Sequence, residues 1–218
     1  MPPSPPTRAV APAVLLLPAL FVAGCATAPA APAVTSTAQA LMDYPYYELE
    51  ELVADADRIV EGTVVSTSDV VAYPVFEGDD PYLNPLSEAS EEEREAASSE
   101  GAHATTEVVL DVTGVHKGES PDRLVITQWG GVLDGVLTTS AQQPLLVPGE
   151  DYLLFLGEGE RPGTLGGGAG SYEASDGAFL AMADHAPVAS LEREELAILL
   201  ASDGARAPLA QWRYERGR

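Results

Sequence analysis

Thr105-Thr106-Glu107-Val108-Val109-Leu110-Asp111-Val112-Thr113-Gly114-Val115 is the stretch that decides the fold class. Val108, Leu110 and Val112 fall on one side of an extended chain and Glu107, Asp111 and Thr113 on the other, the period of a half-buried strand. Val115 breaks the phase. A bulge at Gly114 would return it to the apolar face and bend the strand as a small barrel requires. His116-Lys117-Gly118 then reads as the turn out of the strand, and Lys117 is the only lysine in the chain.

Outward from this stretch the β pattern continues. Residues 123–129 predict a strand with Leu124 and Ile126 opposed to Val125 and Thr127, ending at Gly130-Gly131. After the Pro148-Gly149-Glu150 turn, Tyr152-Leu153-Leu154-Phe155-Leu156 is apolar on both faces, which marks a central, buried strand. Residues 171–174 and 177–183 read as the arms of a final hairpin. On the other side, residues 59–66 are rich in β-branched side chains, with Gly62 marking a bend or close packing. Leu49, Leu52, Val53 and Ala56 stand at i, i+3, i+4 and i+7 and predict a short helix. A closing helix follows Ser190, read as its N-cap, with Leu196, Leu199 and Leu200 as its stripe.

Thirty-four acids against 11 Lys and Arg give a formal net charge of −23. That balance repels phosphate backbones, so nucleic acid is not expected as a partner. The acids concentrate in a predicted loop over residues 77–104; within 77–100, nine acids face one arginine. Like-charge repulsion and low hydrophobicity favour a mobile loop there, a solvated insertion or an acidic capture surface. The end of the chain reverses the sign: residues 204–218 form a basic tail with four arginines, Trp212 and Tyr214.

The amino-terminal end reads as an export signal. Residues 9–23 are apolar and follow Arg8, too short a run for a bilayer span of roughly 20 residues but the right length for a signal peptide over residues 1–24. Cys25 is the only cysteine, so no intramolecular disulfide is available to it. Val22-Ala23-Gly24-Cys25 resembles the bacterial lipobox, which implies cleavage before Cys25 and lipid attachment to its thiol; Val22 departs from the leucine more usual there. Residues 25–45 are rich in Ala, Pro and Thr and read as a tether, and residues 46–203 as one domain.

Chemistry-bearing constellations are sparse. His103, His116 and His185 lie far apart and lack the i, i+4 spacing of a helical zinc site, so no metal ligand is assigned. Gly166-Gly167-Gly168-Ala169-Gly170 lacks the spacing and the Lys-Ser/Thr ending of a phosphate loop and reads as a turn. Ser171 lacks the GxSxG context of a hydrolase nucleophile. No catalytic or cofactor-binding residue and no cofactor is assigned; Cys25, for lipid, is the one site residue.

Three segments carry a family resemblance: Ala56-Asp57-Arg58-Ile59-Val60-Glu61-Gly62-Thr63-Val64, Val112-Thr113-Gly114-Val115-His116-Lys117-Gly118, and Pro148-Gly149-Glu150-Asp151-Tyr152-Leu153-Leu154-Phe155-Leu156. Together they resemble a bacterial exported domain similar in outline to the tissue-inhibitor-of-metalloproteinase and netrin-like group of OB folds. The resemblance implies a mainly β fold with flanking helices (α+β), built as a small OB-like antiparallel barrel of five to six strands. It does not carry metalloproteinase inhibition, which uses a free amino-terminal cysteine in a disulfide framework. The function expected is a lipid-anchored, non-catalytic binding module on the extracytoplasmic face of a cell membrane, engaging an envelope protein or ligand. The alternatives are an envelope enzyme whose site assembles only in three dimensions, and a structural spacer.

Overall fold

The computed structural model describes residues 33–82 and 84–203; the stretch read as a signal peptide, Cys25 and the stretch read as a basic tail lie outside the described residues. In chain order the elements are β1 (Ser36–Gln39), α1 (Leu49–Asp55), β2 (Arg58–Ala72), α2 (Glu91–Glu100), β3 (His103–Lys117), β4 (Arg123–Trp129), β5 (Gly131–Leu133), β6 (Val136–Thr139), β7 (Asp151–Leu156), a 3-10 turn (Gly167–Gly170), β8 (Ser171–Ser175), β9 (Ala178–Ala181), β10 (Ser190–Glu192) and α3 (Arg193–Asp203). Seven strands form one sheet in the order β10-β9-β8-β7-β2-β3-β4, and β1-β6-β5 form a second.

β7 organises the large sheet. It buries every residue from Tyr152 to Leu156 and pairs antiparallel with β2, Ile59 opposite Phe155 and Val60 opposite Leu154. Alternation then divides these side chains between two cores. Ile59, Leu153 and Phe155 pack with Leu52 and Val53 of α1, Tyr172, Phe179, and Leu196 of α3. Val60, Val64, Tyr152, Leu154 and Leu156 pack instead with Val108, Leu110, Leu124 and Ile126, under Leu146. Each fully buried Leu, Ile or Phe contributes about 1.5–3 kcal/mol relative to exposure, so both faces of β7 stabilise the fold.

The barrel does not form. β7 already pairs with β2 on one edge and β8 on the other, and β8, β9 and β10 extend the sheet away from β4. Among the described residues no strand joins β4 to the far edge. Irregular chain meets both strands instead: Thr127 N–H of β4 donates to Pro162 O at 3.1 Å, and Gly157 N–H, just past β7, to Gly163 O at 3.1 Å. The OB-like reading is thus corrected to an open seven-stranded sheet, with α1 and α3 against one face and a small mixed sheet beside it.

Other expectations meet the structure residue by residue. α1 has the expected apolar face, and the lone lysine serves it: Lys117 Nζ donates to Val53 O at 2.7 Å and Ala54 O at 2.9 Å, a cation on the free carbonyls of a helix end. Gly62 is a place of close packing, since a Cβ there would lie 2.6 Å from Asp111 O. The β2–β3 register shifts beside Gly114, as a bulge requires, yet Val115 stays exposed. Ser190 does not cap α3; it begins β10, which buries Leu191 opposite Phe179. Residues 36–39, inside the stretch read as tether, pair in parallel with β6 while remaining exposed.

Burial pushes the Tyr172 hydroxyl, which has no hydrogen-bond partner among the described residues, up to about 12 from 10.0. The folded value lies above the unfolded one, so this contribution to stability is whole below pH 10 and is lost as pH rises toward 12. Burial also raises Tyr44, Tyr47 and Tyr152, so alkaline titration followed by tyrosinate absorbance should show a late-ionising component among the eight tyrosines that loses one group in Tyr172→Phe. Identical titration curves for the two proteins would contradict this burial.

Candidate binding face

β2 is longer than the residues that the core needs. Its first part, Arg58 to Thr63, lies between β7 and β3. Val64 still exchanges backbone bonds with the turn before β7, its N–H donating to Glu150 O at 3.0 Å and its carbonyl accepting from Gly149 N–H at 2.8 Å. Beyond Val64, among the described residues, β2 pairs with β3 alone, through Ser66 opposite Val109 to Ala72 opposite His103. Residues 65–71 are all exposed. Val65, Val70 and Val71 are among them, followed by Tyr73 and by Val75 at 74% exposure.

The acidic segment returns the chain from this arm to β3. Contrary to the mobile-loop expectation, residues 91–100 form α2. The local chemistry is a capping box: Ser90 Oγ accepts from Glu93 N–H at 3.3 Å and the Glu93 carboxylate accepts from Ser90 N–H at 2.8 Å. Glu91, Glu92 and Glu93 in the first turn suit the positive end of the helix dipole. Donation from Ser90 N–H, and from the Ser90 hydroxyl at 2.8 Å, holds the Glu93 carboxyl below its usual value. Ser98 Oγ donates to Pro74 O at 2.8 Å and ties the helix to the strap that continues β2. Between strap and helix lies an open groove of about 460 Å³, lined by Val75 and Phe76 and carrying Glu77, Asp79, Glu91 and Glu95 against Arg94 alone. A lining that mixes apolar side chains with an excess of carboxylates suits a cationic, partly apolar ligand.

Two polar clusters lie elsewhere. Glu61 of β2 receives Arg193 Nη1 on Oε2 and Nη2 on Oε1, both at 2.6 Å, with His116 Nε2 at 3.4 Å. The guanidinium also lies 4.5 Å over the Phe179 ring. The Arg193 hydrogen bonds outweigh desolvation and hold the Glu61 carboxyl below its usual value. With both oxygens taken by a forked donor, this carboxylate fastens α3 to the sheet. In the second cluster His185 Nε2 lies 2.9 Å from Gly166 O and its ring stacks on Tyr44. Gly167 sits against the same tyrosine, where a Cβ would come within 2.5 Å of its ring. The glycine run is therefore a buried turn shaped around Tyr44.

The three histidines thus have three different settings, His103 Nδ1 being 3.2 Å from Gly101 O. Ser171 is buried at the start of β8, and its Oγ has no hydrogen-bond partner among the described residues. No group of three or more His, Cys, Asp or Glu gathers at metal-binding distance among the described residues. Sequence reasoning missed α2, although Ser90-Glu91-Glu92-Glu93 is a legible capping box. It also missed the Glu61–Arg193 pair, whose partners stand 132 residues apart.

Glu61→Gln should cost about 1–2 kcal/mol in urea unfolding at pH 7, the low end for charge-assisted bonds because Arg193 is half exposed. The folded carboxyl value is lowered, so the wild-type advantage is present above 4.5 and shrinks as pH falls through that lowered value. Equal stability of the two proteins at pH 7 would contradict the fastening role.

No protein-family model matches the chain, and no curated protein is significantly similar to it.

Proposed function

We propose that this chain is a lipid-anchored, extracytoplasmic binding module that presents the β2–β3 arm and α2 to an envelope protein. The observation that carries the binding reading is the arm itself: a strand prolonged past the core, with exposed Val65, Val70, Val71 and Tyr73, leading into an acid-lined groove. Surface of this kind is costly to keep in water and is a common mark of an interaction site. The address rests on residues 9–23 and on Val22-Ala23-Gly24-Cys25. Ten residues, Ala26 to Thr35, lead from Cys25 to the Thr35 N–H that donates to Gly135 O. They reach roughly 17 Å as a flexible coil and about 31 Å as extended polyproline, enough to lift the domain clear of lipid headgroups. Among the described residues no helix is long and apolar enough to cross a membrane.

Two experiments test the two halves of this reading. Cys25→Ser should move the protein from the membrane fraction to the soluble fraction; unchanged membrane association would remove the lipid anchor. A photo-crosslinking amino acid at Val75 should give a saturable adduct with an envelope protein in native membranes, and one at Ile198, 63% exposed on α3, should not. Equal products from both positions, or none, would contradict a binding role for the arm.

A further inference from the structure

The free edge of β2 is an unusual thing for a protein to leave in water. Edge strands invite pairing with other chains, and natural sheets blunt them with lysine, proline, bulges or short length. Residues 66–72 continue the pairing with β3 without a further register shift, and residues 65–72 contain no lysine and no proline. Asp69 is the one charged residue among them, and its carboxylate is engaged elsewhere, accepting from Val132 N–H at 2.9 Å. Alternate backbone N–H and C=O groups along this segment therefore point away from β3 with nothing opposite them among the described residues.

We infer that residues 65–72 are a strand-addition site, at which an extended, lysine- or arginine-bearing segment of a partner protein extends the large sheet. This rests on the binding-module reading and gives it a mode and a partner chemistry. Strand addition draws affinity from main-chain hydrogen bonds and specificity from alternate side chains. Here the exposed Val65, Val70 and Val71 offer apolar contacts along the edge. The strap that follows Ala72 leads the added segment toward Glu77, Asp79, Glu91 and Glu95, which select for positive charge. The same charge disfavours a second copy of the chain, since each carries a formal −23.

The test uses the full-length protein in detergent micelles and a blocked eight-residue peptide alternating lysine and valine. Controls are a peptide with glutamate for lysine and a lysine peptide N-methylated on alternate residues, which cannot complete a ladder. The lysine peptide should slow hydrogen exchange at least ten-fold at alternate amides within residues 65–72 and leave the neighbouring amides unchanged. Both controls should have no effect, and Val70→Lys should weaken binding at least ten-fold while β7 keeps its protection. Binding without this alternate slowing would overturn strand addition. So would absence of binding, whereas the binding-module reading would still be decided by the crosslink at Val75. Concentration-dependent protection of the same amides without peptide would show the edge filled by a second copy, and would overturn the basic partner.

Discussion

The rest of the structure depends on the side-by-side packing of β7 and the first part of β2. Five consecutive buried residues, Tyr152 to Leu156, place apolar side chains on both faces of one strand, so both faces need cover. On one side the cover is α1 and α3; on the other it is the face shared by β2, β3 and β4, with Leu146 over it. β7 pairs with β2 on one edge and, over Tyr152 to Leu154, with β8 on the other, so the strand order runs on through β9 to β10 and does not return to β4.

That constraint also sets where binding surface is available. β2 is fixed by β7 as far as Thr63 and by the following turn at Val64, and its remaining residues are free of the core. One continuous strand therefore serves two purposes: its beginning is buried scaffold and its end is a displayed edge. The Glu61–Arg193 fork stands in the scaffold part and joins the closing helix to it. α2 stands at the displayed end, buries none of its residues, and is held by its cap and by Ser98. An edge and a helix supported by a rigid sheet can be preorganised for a partner without being part of the core.

Local signals made much of this legible in the sequence. The double-sided run at Tyr152, the 3.6-residue period of Leu49, Leu52, Val53 and Ala56, and the alternation around Val108 each specify an element whatever its neighbours do. What failed was assembly. Strands alone do not say whether a curled sheet closes, and the departure of β8, β9 and β10 away from β4 depends on pairings that no local pattern encodes. The small sheet was missed although Asp134-Gly135 marks its hairpin, with both residues at positive φ. The acidic segment was judged by composition, which favours disorder, while Ser90 and Glu93 supply the cap that composition ignores. The binding face was visible in part, as an acidic surface. Its unpaired edge became visible only once the extent of the β2–β7 pairing was known.

The central claim is that β2 divides near Val64 into a scaffold half and a displayed half. Site-resolved amide hydrogen exchange on the free, full-length protein tests it most directly. The account predicts that amides of Leu153 to Phe155 and of Ile59 to Gly62 exchange slowest of all, by global unfolding, while alternate amides in residues 65–72 exchange as fast as those of surface turns. Uniform strong protection from residue 58 to residue 72 would mean that the distal edge is already covered, and would contradict the account.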